Sequence, residues 1–203
     1  MDFGLSDEMV MLRDTVRDFA AEKIAPFADE WDEKHYFPYE EVVKPMGQLG
    51  FFGTVIPEEY GGHGLGITEA TLLLEEVARS GAAMNGASAI HLTIFGMQPV
   101  VKHGSDELKA ATLPRIVNGD LHVCFGVTEP TAGLDTSRIT TFAKREGDKY
   151  RINGRKVLIS KAQESEKILL LTRTTPYDQV TKKTDGMTLF LTDLNRDHVD
   201  IRP

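Results

Sequence analysis

The chain has 203 residues, 41% of them hydrophobic and 27% charged, the make-up of an ordinary globular protein with room for one large domain or two modest ones. Its net charge of −8 argues against a general nucleic-acid binder, which needs a basic face to displace counterions. Cys124 is the only cysteine, so no intrachain disulfide can form, and a reducing compartment fits. No apolar run approaches the roughly 20 residues of a membrane-spanning helix, and Met1-Asp2-Phe3-Gly4 offers no secretory lead. A soluble, cytoplasmic protein is expected, or one of the mitochondrial matrix in a eukaryote.

Ser6 is placed to cap a helix, with Asp7 and Glu8 at the positive end of its dipole. Met9, Leu12, Val16, Phe19 and Ile24 follow at mostly three- and four-residue steps and form one apolar stripe. Ala25-Pro26 should bend or end that helix, because proline disfavours helical geometry in its predecessor. Val42, Val43, Met46 and Leu49 suggest a second, shorter helix, interrupted by Pro45 and closed by Gly50. An irregular glycine-rich stretch runs from Ile56 to Gly66, after which Thr68 is expected to cap a third helix to about Arg79. Small residues from Gly81 to Ala89 lead into Ile90, Leu92, Ile94, Phe95 and Val100, the pattern of a closely packed buried helix. Ser105, Asp106 and Glu107 open a fifth, which Asn118-Gly119 ends. Five helical segments with short links predict an α-bundle.

Beyond Gly119 the pattern turns to strands. His122–Val127 and Arg138–Arg145 are β-prone, and Glu146-Gly147-Asp148 offers a hairpin turn. Asn153-Gly154 predicts a second hairpin between Tyr150–Ile152 and Lys156–Ser160. Lys167–Thr172 and Met187–Leu191 follow, with a polar loop from Thr174 to Asp185 between them. The expected fold class is α+β and multidomain: an all-α helical bundle over residues 1–120, then an antiparallel β-barrel-like domain over 121–203, incomplete at Pro203.

Most chemistry-bearing residues read as structural. The six histidines are scattered without metal-ligand spacing, and no G-x-S-x-G elbow occurs. Glycines 61, 62, 64 and 66 lack the spacing of a phosphate loop and fit turns needing positive φ. Glu75-Glu76 are helix neighbours that do not face one another, which favours solvated or structural carboxylates over an acid–base pair. His91, among apolar neighbours, reads as a satisfied core histidine, with a pocket wall as its functional alternative. The informative segment is Phe125 to Asp135, an apolar strand entering a turn with Thr128, Glu129, Pro130 and Gly133. It reads either as a capped strand end or as a loop whose Thr128 hydroxyl and main-chain N–H groups meet a polar cofactor.

This segment resembles the acyl-CoA dehydrogenase signature, x-V/L-T-E-P-x-A-G-S-D. Four other stretches agree in order and spacing: Leu49-Gly50-Phe51-Phe52-Gly53 with Pro57-Glu58-Glu59-Tyr60-Gly61-Gly62, then Glu75-Glu76-Val77-Ala78-Arg79, then His103-Gly104-Ser105 through Leu113-Pro114, then Asn153-Gly154-x-Lys156. The resemblance covers nearly the whole chain.

It implies a subunit with an N-terminal helical domain, a middle β-domain and a C-terminal helical domain. The implied reaction is FAD-dependent α,β-dehydrogenation of an acyl-CoA thioester in fatty-acid or related catabolism, with an electron-transferring flavoprotein as acceptor. The implied assembly is a homotetramer or a hetero-oligomer. By position, Phe125, Val127 and Thr128 would line the flavin's pyrimidine side. Gly133 and Leu134 would reach the pyrophosphate or the thioester end of CoA. Leu158 and Ile159 would stand beside the ring, and Ser160 would bond near N5. His91, Thr93 and Phe95, with Leu134, would border the acyl tunnel. Leu134 stands where the family has serine and Leu158 where it has tryptophan, which exchanges an aromatic wall for an aliphatic one. The catalytic glutamate is expected beyond Pro203, so no residue here is assigned that role, and the 203 residues alone are expected to be inactive. A non-catalytic subunit or a flavin oxidase on the same scaffold are the alternatives.

Overall fold

In a computed structural model the described residues are 4–36 and 38–202. The chain divides into two compact units, Met1–Leu121 and His122–Pro203.

The first unit is helical. α1 (Asp7–Lys23) starts where Ser6 Oγ accepts from Met9 N at 3.2 Å, the expected cap. Its stripe of Val16, Ala20 and Ile24 is buried with Ala70, Leu73 and Val77 of α4 (Ile67–Val77). Phe51 meets Phe19 edge-on, with ring centroids 5.7 Å apart, and Phe52 and Met46 are fully buried. The second predicted helix is instead a π-turn at Tyr39–Val43 running into α3 (Lys44–Gln48), with Pro45 in the first turn of α3. Thr68 lies inside α4 rather than capping it. Gly66 is the cap residue, and its N–H donates to Glu69 Oε2 at 3.0 Å.

Two short helices add to the expected five. α2 (Ala28–Glu33) buries none of its residues, so it leaves no apolar stripe to read. α6 (Gln98–His103) continues closely from α5 (Ala83–Ile94), and α7 (Asp106–Val117) is capped by Ser105 as predicted. Between α4 and α5 the chain kinks through a π-turn, with positive φ at Gly81 and Ala83. Glu76 is a structural carboxylate. Arg17 Nε and Nη2 donate to its two oxygens at 3.0 and 2.8 Å, and Arg79 adds a third, longer contact. The bonds from Arg17 hold the Glu76 pKa below the usual carboxylate value.

The second unit is a sheet of five strands: β1 (Val123–Gly126), β2 (Phe142–Glu146), β3 (Lys149–Asn153), β4 (Lys167–Arg173) and β5 (Met187–Asp193). The β2–β3 and β4–β5 pairs are antiparallel, as expected. β1 and β2 each pair with β4 in parallel, so the sheet is mixed. The reason is connectivity: the chain returns to β1's neighbour through a long crossover over residues 127–166, which a hairpin cannot replace in a parallel pair. β5 occupies one edge of β4 along its whole length, so β1 and β2 lie end to end along the other. Gly147, at φ 65°, makes the predicted β2–β3 turn. Cys124 is fully buried on β1, and burial raises its thiol pKa, in keeping with a small core residue.

Candidate functional site

β1 stops at Gly126 and the chain leaves the ladder. A tight turn closes at once, with Glu129 N donating to Ala132 O at 3.0 Å and Ala132 N to Glu129 O at 3.1 Å. Pro130 and Thr131 lie exposed at the tip, while the Glu129 side chain is only 2% exposed. A buried carboxylate must be given donors, and here it has four. Oε2 accepts from Thr140 N at 2.6 Å and Thr140 Oγ1 at 2.8 Å; Oε1 accepts from Thr141 N and Lys156 Nζ, both at 2.9 Å. Burial pushes the Glu129 pKa up, but the donors of Thr141, Thr140 and Lys156 outweigh it and hold the group at about 2.

Lys156 comes from the arm beyond β3. Its side chain is 8% exposed, and Nζ donates both to Glu129 and to Val127 O, at 2.9 Å each. Next to it, Val157 N donates to Thr128 O at 2.9 Å. A backbone bond and the Lys156 side chain thus join the turn to the arm. Burial lowers the Lys156 pKa, with Glu129 opposing the shift.

The predicted second hairpin is corrected here. Gly154 does not take positive φ, and Lys156–Ser160 is no strand. Gly154 serves close approach instead: a Cβ there would stand 2.2 Å from Thr141 Oγ1, so only glycine lets the arm fold down onto the start of β2. The arm then takes left-handed backbone at two non-glycine residues, Leu158 (φ 57°) and Lys161 (φ 60°).

Two arginines hold the neighbouring loops in the same way, by main-chain carbonyls. Arg173, at the end of β4, is buried and donates to Ser137 O, to Lys183 O at 2.6 Å and to Asp185 O at 3.1 Å. Arg196 donates to Ala162 O, Gln163 O and Ser165 O at 2.9–3.0 Å.

Of the sequence-predicted residues, Phe125, Val127, Thr128, Ile159 and Ser160 are half-buried, whereas Gly133, Leu134 and Leu158 are exposed. The Val157–Thr128 bond and the Lys156 bridge bring the two stretches that carry them, 125–134 and 158–160, together. His91, Thr93 and Phe95 belong to the first unit, on α5 and its C-terminal cap. His91 Nδ1–H donates to Ser88 O at 2.9 Å, Thr93 is buried, and Phe95 packs on the core. A cleft of about 420 Å³ in that unit is lined by Trp31, Val42, Met46, Val77, Ala89 and Ile90, among others, and by none of these three. Lys156, Arg173 and Arg196 were given no role from the sequence. The family resemblance implies that the turn from Thr128 to Asp135 and the arm ending at Ser160 come together, as they do, but it does not single out Lys156 and Glu129 as the pair that joins them.

Among the described residues no cluster of His, Cys, Asp or Glu could hold a metal ion, and no helix is long and apolar enough to cross a membrane.

Comparison with known proteins agrees with this architecture. The family model for the acyl-CoA dehydrogenase N-terminal domain matches residues 6–120, and that for the acyl-CoA dehydrogenase middle domain matches residues 124–203. Glutaryl-CoA dehydrogenase of Desulfococcus multivorans is 42% identical over 172 residues, which are 83% of this chain and 44% of that protein. A solved glutaryl-coenzyme A dehydrogenase in complex with glutaryl-CoA is 38% identical at a TM-score of 0.84, over 95% of this chain and 48% of the other. A glutaryl-CoA dehydrogenase from Mycobacterium smegmatis in complex with FADH2 is 27% identical at a TM-score of 0.82, over 93% and 46%. The chain spans about half the length of the curated relatives it matches. This chain belongs to the acyl-CoA dehydrogenase family.

Proposed function

We propose that this chain carries the helical and middle-domain part of an FAD-dependent dehydrogenase that oxidises an acyl-CoA thioester between its α and β carbons. The observation that carries the reading is the junction of turn and arm, which sets Thr128, Gly133, Leu134, Leu158 and Ser160 on two stretches tied to each other.

These residues fit a flavin. The Thr128 hydroxyl has no partner among the described residues, so it is available to a heteroaromatic edge. A Cβ on Gly133 would meet nothing within 4 Å, which leaves the main chain there approachable by phosphate. Leu134 and Leu158 are 107% and 89% exposed, apolar surface on which a ring can lie. In this reading Phe125, Val127 and Thr128 hold the pyrimidine side, Gly133 and Leu134 the pyrophosphate or CoA end, and Leu158, Ile159 and Ser160 the ring near N5. His91, Thr93 and Phe95 border the acyl chain.

Bound FAD would supply the acceptor for two electrons and the β-hydrogen. The chain's own part is to orient and to exclude water. An α-proton beside a thioester is weakly acidic, so its removal needs a polarised carbonyl and a base in a dry pocket. Glu129 is not that base: a carboxylate held at about 2 by four donors accepts such a proton poorly. A homo-oligomer, and an electron-transferring flavoprotein as acceptor, complete the proposal.

The test is to express the protein from its full reading frame, record its visible absorbance, and follow bleaching on adding glutaryl-, butyryl- and octanoyl-CoA with an artificial acceptor. Glutaryl-CoA comes first because a 42% identical relative is a glutaryl-CoA dehydrogenase. Bound flavin reduced by one of these thioesters is expected. A folded protein without flavin or reduction would overturn the reading in favour of a non-catalytic subunit.

A further inference from the structure

We infer that Lys156 is a positioning residue of the cofactor wall, acting through Glu129 and Val127 rather than by touching any ligand; this rests on the flavin reading given above. The turn and the arm come from distant stretches of the sequence and do not pair as strands, so something other than a ladder must fix their distance. Their main-chain link is the bond from Val157 N to Thr128 O. Lys156 Nζ reaches across beside it to Val127 O and Glu129 Oε1, both at 2.9 Å. The acceptors flank Thr128 on both sides, so one buried ammonium fixes the residue before it and the residue after it.

Glu129 passes the constraint on. Its carboxylate is tied to Thr140 and Thr141 at the entry to β2, and its main chain closes the turn with Ala132, next to Gly133 and Leu134. A shift of Lys156 therefore moves Thr128 on one side and Gly133–Leu134 on the other. The Lys156 side chain is only 8% exposed, and its Nζ is engaged by Val127 O and Glu129 Oε1. The half-buried and exposed residues of the two stretches do the binding and the buried pair sets their spacing, a division in which a small misplacement weakens binding without a change in any contacting group.

Lys156→Met is the informative change because Glu129 keeps its three donors from Thr140 and Thr141, and no carboxylate is left bare. Lys156→Arg keeps the charge and offers donors to both acceptors. In the full-length protein, FAD dissociation constants are measured for both variants beside the thermal midpoint of the cofactor-free forms. Amide exchange is followed in 127–134 and 154–160. Lys156→Met should raise the FAD dissociation constant about tenfold or more, the scale of one charge-assisted hydrogen bond. Exchange should quicken in those two stretches and stay unchanged in β4 and β5, and Lys156→Arg should recover most of the affinity. If Lys156→Met does not fold, Lys156→Gln is read by the same three measurements. Unchanged FAD affinity, or affinity lost only in step with the thermal midpoint, overturns the inference. A wild-type protein that binds no FAD overturns the flavin reading itself, and the inference with it.

Discussion

The two units bury charge in opposite ways. In the helical unit most main-chain bonds lie within the helices, with side chains such as Tyr39 and Gln98 meeting single loop carbonyls, and its buried carboxylate, Glu76, is met by Arg17, whose side chain remains 43% exposed. In the sheet unit the strands are short and the loops long, and the carbonyls of those loops are met by cations from elsewhere in the chain: Lys156, Arg173 and Arg196. Helices need partners mainly at their ends, whereas a loop needs one at almost every residue. The contrast teaches where each unit is fragile. The helical unit depends on packing, and the sheet unit on a few cations bound to loop carbonyls.

The sharpest way to break that contrast is Glu129→Gln, which leaves Lys156 buried without its counter-charge. It should cost about 3–5 kcal/mol in denaturant unfolding monitored on the second unit. The matching change in the first unit, Glu76→Gln, should cost well under half of that in the same experiment, because Arg17 can turn to water. Equal losses would end the comparison. Acid offers a second route. The pKa of Glu129 is depressed in the fold, so its contribution to stability is present above the ordinary value of 4.5 and is lost as pH falls toward about 2. Circular dichroism against pH should show the sheet unit's stability falling in that window, and Lys156→Met should move the fall to higher pH.

The smallest expected effect is a gain. Leu158 holds a left-handed backbone while fully exposed, a conformation that costs an ordinary residue on the order of 1–2 kcal/mol, partly offset in glycine by its larger entropy loss. Leu158→Gly should raise stability by about 0.5–1 kcal/mol and lower FAD affinity. Calorimetry and flavin titration read the two signs separately.

How much was legible follows from the same physics. α1, α4 and α7 were readable because apolar residues recur along one face and Ser6 and Ser105 announce their starts. α2 was not, since none of its residues is fully buried and Trp31 alone packs against the core. Strand positions were visible in the runs of β-branched and apolar residues, but strand direction was not, since the same alternation serves parallel and antiparallel neighbours; hence β1–β4 came as a correction. Asn153-Gly154 misled because its glycine serves a steric need, set by Thr141, that only the folded chain reveals. At the candidate site, the recognised motifs named the residues of the turn and the arm, from half-buried Thr128 to exposed Leu158. The cations behind them were hidden, because a lysine or arginine bound to a carbonyl far along the chain has no local pattern.

β4 has β1 and then β2 on one edge. Between Gly126↔Leu170 and Phe142↔Arg173 it advances three residues while its neighbour advances sixteen. The excursion thus begins and ends on the same rail, and lengthening or shortening it leaves the register on either side untouched. A change of length at the exposed tip, Pro130–Thr131, is therefore open to the sheet, whereas Glu129, Thr140 and Thr141 in the same stretch are fixed by the bonds that hold the turn.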